Sequence, residues 1–430
     1  MIGLHVTTQG CKLNQFDSAE LAGALGESAR LVPDPAAAAL IIVNTCTVTA
    51  AADSDARQAI RRRRRESPDA LIVATGCYAE RSPETLRSMP EVDLVLTRDQ
   101  RPRAAEIILS RLRQMFPAEM ADGCAERVTS ESLPDFGERT RAYLRVQEGC
   151  DLRCAYCVIP VVRGASRSVG PEALQTRFMA LLAAGYKEIV LTGVNTGDYG
   201  KDLDPASSLT DLLGRLSALP GEFRIRLNSV EPLCVTDALV EMIAAQPKIA
   251  RHLQIPLQSG SDTTLGAMRR NYRTRHYARV LEKLRSSVPG IGLGADVIVG
   301  FPGETDQEFR RTADFIRSVP LNYLHVFSYS SRPGTAASEM PGHNEPGVVA
   351  GRSRTLRQIG QDLSASFRRS QSDVTHRALV LGGRRADGRR RALTSNFIDL
   401  SIDGELAENQ FADVRITQVT RTGTIAAPAR

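Results

Sequence analysis

A chain of 430 residues is too long for one ordinary core, so two or three domains are expected. A hydrophobic fraction of 42% with 24% charged residues excludes a disordered or low-complexity chain, and no apolar run is long enough to cross a bilayer. The net charge of +6 and a pI near 9.0 favour a polyanionic partner, as do arginine clusters at 61–65 and 384–391. Eight cysteines in so large a chain argue against a disulfide framework and for metal or redox chemistry. The opening MIGLHVTTQGC enters a strand-like pattern with no basic n-region, apolar core or cleavage site, so a cytoplasmic, membrane-free protein is expected.

Residues 1–123 alternate strand-like and helix-like segments. LHVTTQGC (4–11) leads into a helix through Leu21 and Leu25, for which Asp17 and Glu20 resemble a capping box. LIIVNTC (40–46) precedes a helix carrying Gln58 and the first arginines, and LIVATGC (71–77) precedes a helix near 82–89. VDLVLT (92–97) and a helix at 101–115 complete a doubly wound α/β pattern. Each of the first three strands stops at a cysteine: Cys11, Cys46 and Cys77, one β-α unit apart. In an open parallel sheet the carboxyl ends of the strands share one edge, so these three thiols are expected to face one point. Buried cysteines acting as small hydrophobes would not account for that shared placement. A three-thiolate cluster with an open iron is therefore expected there, with Gly10, Asn44, Thr45 and Gly76 allowing close loop approach. Cys124 and Cys234 show no such placement and read as structural.

Residues 124–139 are polar and irregular, with Pro134 and Gly137, and read as a linker. From 140 to 371 the alternation restarts. Strands are expected at 143–147, 188–193, 224–229, 252–257, 295–300 and 324–329, with helices at 171–184, 209–218, 234–245, 274–287, 305–318 and 348–371. Six β-α units in a row suggest an incomplete parallel barrel with its active site at the C-terminal strand ends. Directly after the first strand, EGCDLRCAYC sets Cys150, Cys154 and Cys157 in a CxxxCxxC array. A structural zinc site usually draws four ligands from two separated pairs, and a bacterial ferredoxin run has C-x2-C-x2-C. Three thiolates on one tight loop instead suit a cubane iron–sulfur cluster with one iron left for another ligand.

CDLRCAYC and the units that follow resemble the radical S-adenosylmethionine superfamily. The resemblance implies a [4Fe-4S] cluster whose open iron chelates S-adenosylmethionine, and reductive cleavage of its S–C bond to a 5′-deoxyadenosyl radical. It also implies that Tyr156 packs near cluster and adenine, and that LTGVNTG (191–197), with Thr192, Gly193 and Asn195, meets the methionyl amino group. RLNSVEP, PLQSGSD and VIVGFPGET follow later strands, and by resemblance Ser229, Glu231, Gln258 and Ser259 contact the cofactor or line its pocket. Ser, Gly and Asn belong in such loops as turn chemistry in any case.

Residues 372–430 turn to short strands with turn signals ADG and DGE, fitting a small β-barrel. An N-terminal three-cysteine domain, a central CxxxCxxC barrel and a small C-terminal β-domain together resemble the methylthiotransferase family over essentially the whole chain. The resemblance implies a second [4Fe-4S] cluster that carries or donates sulfur, and S-adenosylmethionine both as methyl donor and as radical source. It implies a TRAM-like RNA-binding barrel whose Arg384, Arg385, Arg389, Arg390 and Arg391 contact phosphates. It further implies tRNA bound by its anticodon loop and an electron donor such as flavodoxin or ferredoxin. GCKLNQFDSAE, LTGVNTGDYG and MRRNY are most similar to the branch acting at carbon 2 of threonylcarbamoyladenosine. Asn228 and Ser328 depart from that pattern, where serine and proline are usual. The other branches, acting on isopentenyladenosine or on a ribosomal protein aspartate, stay open, as does a non-catalytic iron–sulfur RNA-binding protein. No acid–base pair among Asp, Glu or His is needed, because a carbon radical removes the adenine hydrogen as an atom.

Overall fold

The computed structural model describes residues 1–117, 120, 134–137 and 139–429; Cys124 and most of the expected linker at 124–139 lie outside the described residues. The chain divides into two compact units, Met1–Gly137 with Cys157–Ala165, and Glu138–Tyr156 with Ser166–Arg430.

In the first unit five parallel strands, β1 (Ile2–Thr8), β2 (Ala29–Leu31), β3 (Leu40–Thr45), β4 (Leu71–Gly76) and β5 (Leu94–Val95), lie in the order β2-β1-β3-β4-β5. The sheet is covered on both faces, which is why β3 and β4 read as unbroken apolar runs. Leu40, Ile42, Leu71 and Val73 pack on one side beside α1 (Lys12–Leu25) and α5 (Ala104–Met115). Ile41, Val43, Ile72 and Ala74 pack on the other beside α2 (Ala50–Glu66), α3 (Cys77–Arg81) and α4 (Pro83–Arg87). The expected capping box is corrected here. α1 begins at Lys12 with Cys11 as its N-cap, and Asp17 lies inside the helix, where its carboxylate receives Arg101. The short α6 (Ile159–Arg163) belongs to this unit, seating Val158 and Val162 against Cys77.

All six expected strands of the second unit form: β6 (Arg141–Arg145), β9 (Glu188–Thr192), β10 (Arg224–Leu227), β11 (His252–Gln254), β12 (Gly292–Val299) and β13 (Tyr323–Ser328). A short antiparallel pair, β7 (Gln147–Glu148) and β8 (Arg167–Ser168), lies beside the first of them. The six form two parallel three-stranded sheets, β10-β9-β6 and β11-β12-β13, joined by single bridges Ile225–Ile249 and Ser229–Gln254. β6 and β13 do not pair, so the barrel is incomplete. Helices α7 (Pro171–Ala183), α8 (Leu209–Ser217), α9 (Asp237–Ala245), α11 (Thr274–Ser287), α12 (Asp306–Ser318) and α13 (Pro346–Ser370) follow the strands; the short α10 (Asp262–Ala267) lies between β11 and α11.

The last strands, β14 (Thr375–Arg384), β15 (Arg390–Thr394), β16 (Asp399–Ile402), β17 (Phe411–Val419) and β18 (Thr424–Pro428), close into a five-stranded barrel around Ala378, Leu400, Ile402, Val414 and Ala426. This barrel docks on the N-terminal ends of the parallel strands. Glu188, fully buried, takes both Nε and Nη2 of Arg226 at 2.9 Å and Arg224 at 3.3 Å. Those guanidiniums pass on to the carbonyls of Arg377, Leu393, Thr394 and Ser395. Phe397, held at φ +71°, stacks on His252 with ring centroids 4.3 Å apart. The opposite rim, at the C-terminal strand ends, is left for function.

Candidate functional site

In the first unit the ends of β1, β3 and β4 are level: Thr8 pairs with Asn44, and Asn44 with Thr75. The strand order reverses between β1 and β3, and the crevice at such a switch point is where open α/β sheets bind ligands. Cys11 and Cys46 follow those two strands, and Cys77 follows the neighbouring β4. Asn14 ties the loops together, its Nδ2 donating to Gln9 O at 2.9 Å and Thr45 O at 3.0 Å. Asn44 Nδ2 donates to Asn14 O at 2.9 Å. Gly10, at φ +88°, has no room for a side chain, since a Cβ would lie 2.9 Å from Cys46 Cβ and Sγ. Gly76, at φ +93°, would drive one into Asn44 Oδ1 and the Thr45 backbone.

Burial pushes up the Cys46 and Cys77 thiols, the latter to about 11, and the neighbouring thiols push the same way. The opposing charge comes from Arg163, buried beside them, whose Nη2 donates to Asn14 Oδ1 and to Asp17 Oδ2 at 3.0 Å. Two buried thiols that resist ionising, beside Cys11 on loops too tight for side chains, suit a cationic core that holds such groups as thiolates. Among the described residues no three or more His, Cys, Asp or Glu side chains are already drawn into a set that could hold a metal ion.

In the second unit Cys150 and Cys154 lie on the loop after β7, while Cys157 is the first residue of the segment Cys157–Ala165 that belongs to the first unit. Burial raises the Cys150 thiol to about 11, with Cys154, Glu231 and Asp198 adding to it. Fully buried Gln147 braces this loop, its Nε2 donating to Gly149 O at 2.7 Å and Ser166 Oγ at 2.9 Å. Its Oε1 receives the Asn195 amide at 2.9 Å, so one side chain joins the cysteine loop to the turn after β9. At the end of β9 and on that turn, Thr192 Oγ1 and Asn195 Oδ1 are buried without a hydrogen-bond partner, as expected of groups facing a polar ligand. Gly193 is packed against Gln147 Oε1. Arg270 donates to Cys154 Sγ at 3.1 Å and pairs with Glu231. Tyr156 packs with Ala155, Met268 and Phe301.

The remaining candidates divide. Ser229 bridges to Gln254 and accepts Thr196 Oγ1 through its carbonyl. Gln258 adopts φ +63° and Ser259 is fully buried, its hydroxyl against Thr312 Oγ1 at 3.1 Å. Cys234 lies near Asp198, and burial pushes its thiol up to about 12. Asn14, Gln147, Arg163 and Arg270 escaped the sequence reading. Gln147 and Arg163 flank the cysteine array, and Arg270 sits within MRRNY.

The hairpin arginines are all ion-paired: Arg384 with Glu405, Arg385 and Arg391 with Asp399, Arg389 with Asp387, and Arg390 with Glu408. Four of the five arginines in the α2 run are occupied as well, Arg61 by Glu91, Arg62 and Arg63 by Glu66, and Arg64 by Asp93. No helix among the described residues is long and apolar enough to cross a membrane.

Residues 3–97 match the model of an uncharacterized protein family, UPF0004, and residues 144–316 that of the radical SAM superfamily. The threonylcarbamoyladenosine tRNA methylthiotransferase MtaB of Thermotoga maritima is 37% identical over 85% of this chain and 83% of its own. The Bacillus subtilis protein of the same name is 39% identical over 84% and 80%. Relatives named for dimethylallyladenosine and for ribosomal protein uS12 are 32% and 34% identical. Among solved structures, the radical S-adenosylmethionine methyltransferase TsrM of Kitasatospora setae superposes with a TM-score of 0.57 at 15% identity, covering 79% of this chain and 75% of that one. That likeness is one of fold. With two family models matched in succession and such identity over most of its length, the chain belongs to the radical S-adenosylmethionine methylthiotransferase family.

Proposed function

We infer that the chain is a tRNA methylthiotransferase that places a methylthio group on carbon 2 of N6-threonylcarbamoyladenosine beside the anticodon, at position 37. The observation that carries this reading is the 37–39% identity to two proteins of that name over most of the chain. Its chemistry needs two [4Fe-4S] clusters and S-adenosylmethionine, and two cysteine sets on separate elements support that demand. Cys11, Cys46 and Cys77 would hold one cluster, and Cys150, Cys154 and Cys157 the other. When bound, these groups supply hydrogen-atom abstraction, the sulfur and the methyl group.

The chain's own residues position and shield. Gln147 fixes the turn carrying Thr192 and Asn195 relative to the cysteine loop, and the free oxygens of that turn suit the cofactor's amino group. Glu231, Ser229 and Gln258 stand at the same ends of the parallel strands, and Tyr156 gives an aromatic wall to the cysteine loop. Ser259, whose hydroxyl is taken by Thr312, contributes through the backbone of its turn. The C-terminal barrel covers the opposite strand ends, through the Phe397–His252 stack and the Arg226 hydrogen bond to Thr394 O. We read it as a TRAM-like RNA-binding module, with flavodoxin or ferredoxin as the electron donor and the cytoplasm as the compartment. The test is mass spectrometry of tRNA nucleosides from cells with and without the gene. The 2-methylthio derivative of threonylcarbamoyladenosine should vanish in the deletion; its persistence would refute the substrate.

A further inference from the structure

The five arginines of the hairpin at 384–391 all engage carboxylates, four of these between them with Asp399 shared, and most of the α2 run is paired as well. The unmatched charge lies elsewhere. Arg153, Arg269, Arg273, Arg275 and Arg279 are all exposed, and none has a carboxylate partner among the described residues. They are scattered in sequence but joined in space. The Ala155 amide donates to Met268 O at 3.0 Å, and Arg270 reaches Cys154, so the cysteine loop and residues 268–270 form one edge of the rim. Arg153 stands on that loop immediately before Cys154, and Arg269 stands beside Arg270. Arg273 is the N-cap of α11, and Arg275 and Arg279 share one face of it, four residues apart.

Two details mark the patch as built. Arg269 holds φ +58°, a conformation that costs a side-chain-bearing residue and is normally left to glycine. The first turn of α11 carries no acidic residue, although its end of the helix dipole would favour one. The nearby carboxylates are committed to backbone amides: Asp262 accepts Thr274 N at 2.7 Å, and Asp151 accepts Ser166 N at 3.2 Å.

We propose that Arg153, Arg269, Arg273, Arg275 and Arg279 form the surface that holds the sugar–phosphate backbone of the RNA loop, beside the rim where the target base enters. Guanidinium forks bind phosphate oxygens in pairs, and exposed arginines without carboxylate partners keep that capacity. A matched hairpin must first give up its own carboxylates. The proposal rests on the tRNA reading given above.

The test is filter binding of substrate tRNA to the reconstituted full-length protein across 50–200 mM salt. Each phosphate that the protein no longer neutralises flattens the plot of log affinity against log salt by about 0.7–0.9. The triple variant R273Q/R275Q/R279Q should flatten it by about 2 or more and weaken binding at low salt. The hairpin variant R384Q/R385Q/R389Q should flatten it by less than about 1. Iron content and melting temperature report folding. If the triple variant does not fold, R275Q and R279Q, single changes on an exposed helix face, should each flatten the slope by about 0.7–0.9. An unchanged slope in the rim variants overturns the proposal. So does a loss confined to the rate at which flavodoxin reduces the protein, which would mark the patch as a docking site for an acidic protein. Failure of the wild-type protein to bind tRNA at all would instead sink the tRNA reading.

Discussion

Replacing Glu188 by Gln tests how the C-terminal barrel is held. Burial alone would raise this carboxyl, but the guanidiniums of Arg226, Arg224 and Arg141 overcome that and hold it at about 2. Relative to an ordinary value of 4.5, that difference corresponds to about 3 kcal/mol. Removing one partner of a buried ion pair costs about 3–5 kcal/mol, because the remaining charge is left uncompensated. At roughly 2 °C per kcal/mol for a unit of this size, E188Q should melt about 6–10 °C below wild type by scanning calorimetry at pH 7. The pH dependence has a definite sign. A carboxyl depressed in the folded state contributes stability fully present above its unfolded value of 4.5, and loses it as pH falls through about 2. The gap between wild type and E188Q should therefore be widest above pH 4.5 and close toward pH 2. A variant melting within 2 °C of wild type at pH 7, or a gap that widens on acidification, refutes this account.

Anaerobic reconstitution should load about eight irons per chain, and replacing Cys11, Cys46 and Cys77 by Ala should leave about four; loss of all iron would end the two-site reading. Gly76→Ala should lower auxiliary iron loading and stability by about 1–3 kcal/mol, because φ +93° and contact with Asn44 leave no room for a methyl; colorimetric iron assay and thermal melting decide it. Phe397→Ala should cost about 2–4 kcal/mol by removing the ring stacked on His252 and under Arg226, with urea denaturation as the measure.

Most of the scaffold was legible because its strands are short apolar runs and its helices have clear periodicity. LIIVNT and LIVATG could be read as doubly covered strands from composition alone, and both are. β2 escaped because three residues, Ala29–Leu31, carry no period. The misread start of α1 has a different cause. Asp17 looks like a cap locally, but its carboxylate answers to Arg101 and Arg163, 84 and 146 residues away. The three strand-end cysteines were legible because chain spacing maps onto sheet spacing in a parallel sheet. Gln147 and Arg270 were not, since their importance lies in which loops they join. The arginine hairpin shows the same limit: sequence displays its charge, while the neutralising carboxylates arrive from beyond it, Asp399 on β16 and Glu405 and Glu408 in the loop before β17.

The docking of the last barrel on the first ends of the parallel strands also constrains the order of assembly. Glu188, Arg224 and Arg226 leave the ribosome some 150 residues or more before the carbonyls of Leu393 and Thr394 that complete them. During that interval a nascent parallel barrel carries guanidiniums whose remaining partners have yet to be made, and an open floor. Long-range closures of this kind are slow and leave partly folded chains prone to aggregate. The final strands therefore supply both the last partners of those guanidiniums and the floor of the parallel barrel.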